Sequence, residues 1–411
     1  MSTFNINLHE AIYSLSDALD LVGVDHVHHG KRVAFMAAEC AKALNWETQQ
    51  VDSLFQAAIL HDCGVSNTAV HAKLAQFEWE LEQKHCDLGA KILQSTPVLA
   101  HLADVILYHH THWSTLKQLD IPEDIKLHAN CIYMVDRVDT LVLGCGLKEP
   151  NILVSREEIR HKIYEKRADW FHPELVDIFM QVSNSETFWL SLEREQISGY
   201  VSTWVAHDLT RKIDFQDLKS IVRIFSYIVD AKSTFTREHS DGVACLSRYL
   251  AEQFALPESN CDIIELAGLL HDIGKLRVPD AILDKPSKLT DLEYQTMKRH
   301  SFDTYNILKQ VKGFEQISQW AAEHHERVDA TGYPDHKGKN QLSIEARIIA
   351  VADVFQALAQ QRPYRKDLPP DEILAILKQQ ADSGHLDNDI VLMVEHHLRT
   401  CWEKALLIDK I

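Results

Sequence analysis

Residues 270–290 read LHDIGKLRVPDAILDKPSKLT, and residues 60–74 read LHDCGVSNTAVHAKL. Both stretches contain Leu-His-Asp-x-Gly, but only the later one has a lysine directly after the glycine. A single His-Asp pair carries little information, because a chain with 24 histidines contains some by chance. Two such pairs in matching surroundings indicate internal repetition.

The residues around the two motifs repeat as well. HHGKRVAFMAAECAKAL at 28–44 is similar to EHSDGVACLSRYLAEQF at 238–254, and ANCIYMVDRVDTL at 129–141 parallels ARIIAVADVFQAL at 346–358. Two of the intervals between histidines, 32 and 24 residues, are identical in both halves. The repeated polar positions are His29, His61, Asp62, His85, His109, His110 and Asp136 in the first half, and His239, His271, Asp272, His300, His324, His325 and Asp353 in the second.

The periodicity of the chain is helical nearly throughout. Apolar residues recur at three- and four-residue intervals, and no convincing alternating strand pattern is found. We therefore predict an all-α fold with two tandem helical bundle domains. The boundary is expected near residues 205–220, which gives domains of 1–210 and 211–411.

Composition restricts the classes of partner. The 411-residue chain has a formal net charge of −18, which would repel nucleic-acid polymers and anionic membrane surfaces. The eight cysteines are scattered without a CxxC pair, as in a reduced protein. The first residues lack the pattern of a signal peptide, and no apolar run approaches the roughly 18 residues of a membrane span. We expect a cytoplasmic protein.

The repeated polar residues of the second half predict a metal centre. Buried imidazoles and carboxylates are costly unless they are paired or bound to something. Asp272 could bridge two ions, and nitrogen and oxygen ligands suit Fe, Mn, Zn, Ni or Co better than Mg. Two metals about 3.5–4 Å apart can activate a shared water for phosphate-ester hydrolysis. Lys275, three residues after Asp272, could neutralise a phosphoryl oxygen.

The order His…His-Asp…Asp on helices resembles the HD superfamily of metal-dependent phosphohydrolases. In the second half, HDIGKLRVPDAILDKPSKLTDLEYQTMKRH, HHERVDATGYP and IEARIIAVADVFQALAQQRPYRK are similar to the HD-GYP family of cyclic dinucleotide phosphodiesterases. The resemblance covers most of residues 230–380. It implies two HD-type domains, with residues 211–411 forming the HD-GYP phosphodiesterase domain.

Family membership implies hydrolysis of cyclic di-GMP, 3′,3′-cyclic GMP-AMP or both to linear dinucleotides, through a hydroxide that bridges two metals. It implies a bi- or trinuclear centre of divalent transition-metal ions, usually iron or manganese, held by the seven C-terminal residues given above. Asp272 and Lys275 would be catalytic, and Lys275, Arg362 and Arg365 would bind the phosphates of the substrate. Gly332, Tyr333 and Pro334 would form a loop that shapes the pocket or contacts a protein partner.

The chain departs from the family pattern at two positions. Phe235 stands where members with a third metal have a glutamate, so we expect two metals unless a neighbour such as Glu238 substitutes. Gln356 stands where an aspartate is common, and we expect this change to loosen the positioning of Lys275.

The first half keeps all seven polar positions but lacks the lysine, the GYP loop and the basic tail. It is interpreted as a divergent HD domain, residues 1–210, that retains metal. Three roles stay open: a structural metal site, a sensory site, or a second phosphohydrolase resembling a 5′-nucleotidase. For the second half, the alternatives to the phosphodiesterase are a non-catalytic cyclic dinucleotide receptor and a general nucleotide phosphohydrolase.

Overall fold

The computed structural model describes residues 3–20, 28–65, 83–145, 152–207, 211–232, 239–360 and 367–408. The all-α prediction is confirmed, since helices make up nearly all of the regular structure of these residues. The chain divides into two compact units, one of Asn7–Leu209 and one of Met1–Ile6 with Thr210–Ile411. Among the described residues, no helix combines the length and the hydropathy that a bilayer crossing requires.

The described part of the N-terminal unit is a bundle of helices. Its helices are α1 (Leu8–Asp20), α2 (His29–Ala43), α3 (Thr48–Leu60), α4 (Gln83–Gln94), α5 (Ala103–Tyr108), α6 (Trp113–Leu116), α7 (Glu123–Gly144), α8 (Ile152–Glu165), α9 (Pro173–Val182), α10 (Glu186–Leu190) and α11 (Arg194–His207). A 3-10 turn at Ala100–Leu102 precedes α5.

The C-terminal unit has the same kind of architecture with a small sheet added. Its elements are β1 (Thr3–Ile6), β2 (Arg211–Asp214), α12 (Phe215–Lys232), α13 (His239–Gln253), α14 (Glu258–Leu270), α15 (Asp280–Leu283), α16 (Asp291–Leu308), α17 (Glu315–Ala322), α18 (Ile344–Ala359), α19 (Pro370–Asp382), α20 (Asn388–His396) and α21 (Leu398–Ala405). Two 3-10 turns, Ile273–Arg277 and Glu323–His325, lie beside polar positions of the repeat.

The two units repeat the helix pair around the His-Asp motif. Helices α2 and α13 both have 15 residues and begin at His29 and His239. Helices α3 and α14 both have 13 residues and end directly before His61 and His271. Apolar residues of α3 and α14 are buried up to the last turn, so each motif histidine leaves its helix inside the core rather than at the surface.

The strands were not expected from the sequence. β1 pairs with β2 in antiparallel register, from Thr3 opposite Asp214 to Ile6 opposite Arg211. Ile6 and Ile213 are buried, and the ring of Phe4 lies 6.5 Å from that of Phe215 at the start of α12. Four residues are too few for a period-2 pattern to be recognised, and the pairing joins segments about 200 residues apart.

Candidate metal centres

The C-terminal unit brings together all seven polar residues of its half of the repeat. His239, His271 and Asp353 form one group and His300, His324 and His325 another; in each, one donor atom per residue lies within 4.8 Å of the others. Asp272 forms a third group with His271 and His324 and so belongs to both sides.

Asp272 lies between the two groups with one oxygen toward each. Its Oδ2 is 3.3 Å from Nε2 of His271 and 3.7 Å from Nε2 of His239. Its Oδ1 is 3.7 Å from Nε2 of His300 and 3.8 Å from Nε2 of His324. These separations resemble those of donor atoms that share a metal ion bound at about 2.0–2.2 Å.

Asp272 is held in the ionised form that binds a cation. Burial alone would raise its pKa, but the charges of His271 and Lys275 hold the pKa well below its usual range. The side chain is 2% exposed, and its Oδ1 accepts no hydrogen bond. A buried carboxylate oxygen without a donor costs free energy. Divalent cations on both sides of Asp272 would remove that cost, so the residues present fit metal.

Backbone carbonyls orient three of the imidazoles toward the cluster. Nδ1 of His271, His300 and His324 donates to the carbonyl three residues earlier, at 2.7, 2.7 and 2.6 Å. Because a carbonyl only accepts, each Nδ1 carries a hydrogen, and in the neutral ring that binds metal the Nε2 atom is left for the cluster. Burial lowers the pKa of His300 to about 3 and that of His325 to about 4, which keeps both rings in the neutral form that binds metal.

The glycine of the motif permits the third histidine to reach the cluster. A Cβ added to Gly274 would lie 2.0 Å from the carbonyl oxygen of His300, and one added to Gly64 would lie 2.0 Å from that of His85. The backbone of the motif therefore touches the helix that carries the next histidine in both units. This close approach explains why glycine occupies the fourth position of His-Asp-x-Gly in both halves of the sequence.

Gln356 acts on a different residue from the one expected. Its Oε1 lies 2.5 Å from Nδ1 of His239, whereas Nζ of Lys275 donates to Oδ2 of Asp272 at 2.5 Å. Gln356 therefore contacts His239 while Lys275 contacts Asp272, and the expectation that Gln356 loosens Lys275 stays a prediction. Its amide carbonyl orients the imidazole of His239, as the backbone carbonyls orient the other rings.

The GYP loop borders the second group of histidines. The N–H of Tyr333 donates to the carbonyl of His325 at 3.1 Å, and the two rings have centroids 4.9 Å apart. Gly332 is buried, and Pro334 is half-buried. Arg362, Arg365, Phe235 and Glu238 lie outside the described residues.

The N-terminal unit also gathers its seven residues, as His29, His61 and Asp136 in one group and Asp62, His85, His109 and His110 in the other. Oδ2 of Asp62 is 3.7 Å from Nε2 of His29 and 3.5 Å from Nε2 of His61, and its Oδ1 is 3.8 Å from Nε2 of His85. Neither Oδ1 of Asp62 nor Nε2 of His109 has a hydrogen-bond partner, although both atoms are buried. These residues also fit metal.

The N-terminal cluster differs from the C-terminal one in the basic side chains that lie beside it. Val65 stands in place of the lysine, and the buried guanidinium of Arg137 instead donates to Oδ2 of Asp136 at 2.7 Å. Asp139, at the position of Gln356, accepts from Nδ1 of His29 at 2.7 Å and from Arg32 at 2.9 Å. Sequence reasoning missed these two arginine pairs, although the alignment of 129–141 with 346–358 already placed Arg137 and Asp139 beside the cluster.

Comparison with known proteins identifies the family. Sequence models of the HD domain match residues 27–141 and 223–390. A 3′3′-cGAMP-specific phosphodiesterase of Vibrio cholerae serotype O1 is 36% identical over 396 residues, which cover 94% of this chain and 91% of that relative. The chain belongs to the HD-GYP family.

Other relatives of this HD-GYP protein are also named as cyclic dinucleotide phosphodiesterases. A cyclic di-GMP phosphodiesterase of Pseudomonas aeruginosa is 32% identical over 67% of this chain and 61% of its own. A crystal structure of a cyclic GMP-AMP specific phosphodiesterase of V. cholerae matches with a TM-score of 0.64 and 26% identity, over 98% of both chains. The match over nearly the full length includes both HD domains.

Replacing Gln356 by leucine is expected to weaken metal retention in the C-terminal centre of this HD-GYP protein by about 10- to 100-fold, because residues that orient a ligating imidazole contribute that much to affinity. Metal titration with a competing chelator measures the change. Gln310→Leu, in the exposed turn after α16, is the matched control. Equal metal affinity in Gln356→Leu and the parent protein would contradict the orienting role.

Proposed function

We propose that the C-terminal domain hydrolyses bacterial cyclic dinucleotides, 3′,3′-cyclic GMP-AMP, cyclic di-GMP or both, to linear dinucleotides. The observation that carries this proposal is the position of Asp272, whose two oxygens face separate groups of three potential ligands. The names of the relatives supply the substrate class. On this proposal residues 1–210 and 211–411 are the two functional domains.

In the proposed site, the ligands are His239, His271, Asp272, His300, His324, His325 and Asp353. Two divalent cations, Fe or Mn by family resemblance, would supply Lewis acidity at the phosphodiester and lower the pKa of a water molecule. Asp272 would fix the spacing of the two ions. Arg362 and Arg365 are proposed to contact the phosphates of the substrate, which an acidic protein must otherwise repel.

The Lys275 ammonium and the GYP loop would act on the substrate. The side chain of Lys275 is 23% exposed, so it can meet a phosphoryl oxygen while it remains beside Asp272. Tyr333 and its neighbours Gly332 and Pro334 lie against His325, where they would border the bound dinucleotide. A protein partner at this loop is a further proposal.

The function is tested by anaerobic purification, metal analysis and product chromatography with each cyclic dinucleotide and a panel of mononucleotides. Turnover of a cyclic dinucleotide to its linear product supports the proposal. Binding without turnover in a fully metallated preparation favours the receptor. Turnover of mononucleotides alone favours a general nucleotide phosphohydrolase.

Replacing Lys275 by alanine is expected to lower kcat by about 10²-fold while the metal content stays unchanged. The reason is that a cation placed on a phosphoryl oxygen stabilises charge mainly in the transition state, whereas the metal donors remain. Steady-state kinetics and metal analysis on the same sample measure both quantities. Lys378→Ala, on the exposed side of α19, should behave as the parent. Loss of metal from Lys275→Ala would contradict a direct role on the substrate.

For the N-terminal domain we propose a metal site formed by His29, His61, Asp62, His85, His109, His110 and Asp136. The buried Oδ1 of Asp62 and Nε2 of His109, both without hydrogen-bond partners, support it. A second phosphohydrolase activity is tested by Asp62→Ala and phosphate release from a linear dinucleotide 5′-phosphate. Unchanged release leaves the structural and sensory roles.

A further inference from the structure

A thiol lies at the edge of the N-terminal cluster. Cys86 directly follows His85 on α4 and is completely buried. Its Sγ lies 3.5 Å from Nε2 of His85, the ring atom that faces Asp62. In the C-terminal unit the same position is Ser301, whose Oγ lies 3.4 Å from Nε2 of His300. The two units therefore have different atoms at the matching position of the repeat, a sulfur in the N-terminal unit and a hydroxyl oxygen in the C-terminal unit.

The distance from Cys86 to His85 is that of two atoms that share an ion. Zinc-like ions bind sulfur at about 2.3 Å and nitrogen or oxygen at about 2.0–2.2 Å, so tetrahedral donors lie roughly 3.3–3.8 Å apart. The separation from Cys86 Sγ to His85 Nε2 is 3.5 Å, and that from His85 Nε2 to Asp62 Oδ1 is 3.8 Å.

A separate observation points to a ligand at this place. Nδ1 of His109 is bonded to the carbonyl of Ile106 at 2.6 Å, which leaves Nε2 as the donor atom that joins the group of Asp62, His85 and His110. His109 is completely buried, and its Nε2 has no hydrogen-bond partner. A buried ring nitrogen turned into a cluster of donors is satisfied by a cation.

We propose that Cys86 is a sulfur ligand of the metal in the N-terminal centre, beside the group of Asp62, His85, His109 and His110. The N-terminal centre is then a mixed sulfur, nitrogen and oxygen site, whereas the C-terminal centre uses nitrogen and oxygen. Thiolate ligands favour zinc and ferrous iron over manganese, so the two centres of one chain differ in metal preference. On binding, the S–H bond breaks, a sulfur–metal bond forms and the proton passes to solvent.

The second buried thiol of the region supplies a control. Cys63 follows Asp62 in the motif, but its Sγ packs on α4, 3.2 Å from the position that a Cβ of Gly89 would take. Cys63 therefore tests the effect of removing a buried thiol from the same unit without removing the proposed ligand.

Cobalt substitution of the full chain tests the proposal. Co²⁺ bound to a thiolate gives an intense near-ultraviolet charge-transfer band that nitrogen and oxygen ligands do not give. We expect this band in the parent protein and in Cys63→Ser, and its loss in Cys86→Ser. Ser301→Cys, which places a thiol at the matching C-terminal position, should strengthen it. A parent protein without the band, or Cys86→Ser with the full band, would overturn the proposal.

X-ray absorption of the zinc-loaded parent protein gives a reading that needs no variant. A sulfur shell at about 2.3 Å is expected, and its absence would overturn the proposal even if Cys86→Ser failed to fold. The inference rests on metal binding in the N-terminal unit. An N-terminal unit that takes up no metal would contradict both the proposed metal site and the role of Cys86. Metal uptake without a sulfur shell would contradict only the role of Cys86. Cyclic dinucleotide hydrolysis is assayed separately and bears on neither outcome.

Discussion

Replacing Asp272 by alanine is expected to abolish hydrolysis of cyclic dinucleotides and metal retention in the C-terminal centre together. Asp272 is the one residue of the C-terminal set whose two oxygens face both groups of ligands. Without it, the two groups lose their common ligand and five imidazoles face each other with one carboxylate, Asp353. We expect turnover to fall by at least about 10³-fold, as when a group that stabilises charge in the transition state is removed.

The measurement pairs metal analysis with product chromatography on the same preparation. Asp382→Ala, an exposed aspartate at the end of α19, is the matched control for the same substitution and should keep both properties. Retained metal with retained turnover in Asp272→Ala would exclude the proposed centre. A parent protein that binds the cyclic dinucleotide without turnover, with binding that survives Asp272→Ala, would identify a receptor instead.

The sequence predicted which polar residues lie together because repetition carries that information. His271 and Asp272 are adjacent, the intervals to their partners are equal in both halves, and the apolar periodicity places them at the ends of buried helices. The all-α fold and the two HD domains follow from the same pattern, and both are confirmed.

The contacts that orient these residues were not predictable in the same way. The hydrogen bond from His239 to Gln356 joins side chains 117 positions apart, and no local period records which ring a glutamine will meet. The pairing of Arg137 with its neighbour Asp136 depends on side-chain rotamers inside a packed core. The strand pair β1–β2 was missed because each strand has four residues and its partner is distant.

Replacing Gly274 by alanine is expected to destabilise the C-terminal unit by about 3 kcal/mol, at the upper end of the cost of overpacking a core. The added Cβ would lie 2.0 Å from the carbonyl oxygen of His300 and 2.8 Å from the amide nitrogen of Thr304. Both are backbone atoms of α16 and cannot rotate away. The helix must shift, and the shift carries His300 away from Asp272, so metal retention should fall together with stability.

The chain contains a control for the same substitution. Gly199 lies inside α11, and a Cβ there would meet nothing within 4 Å. Gly199→Ala should therefore raise stability by about 0.5–1 kcal/mol, because alanine loses less backbone entropy in a helix. Gly64→Ala should destabilise the N-terminal unit much as Gly274→Ala destabilises the C-terminal one, since its Cβ would lie 2.0 Å from the carbonyl oxygen of His85.

Denaturant unfolding and metal analysis of the three glycine variants distinguish steric crowding from a general cost of changing glycine. If Gly274→Ala and Gly199→Ala changed the free energy of unfolding equally, the close approach of the motif to α16 would not be the reason for the glycine. If Gly274→Ala and Gly64→Ala each lost stability and metal in their own units while Gly199→Ala kept both, the fourth residue of His-Asp-x-Gly would be required because it lets the third histidine reach the shared aspartate.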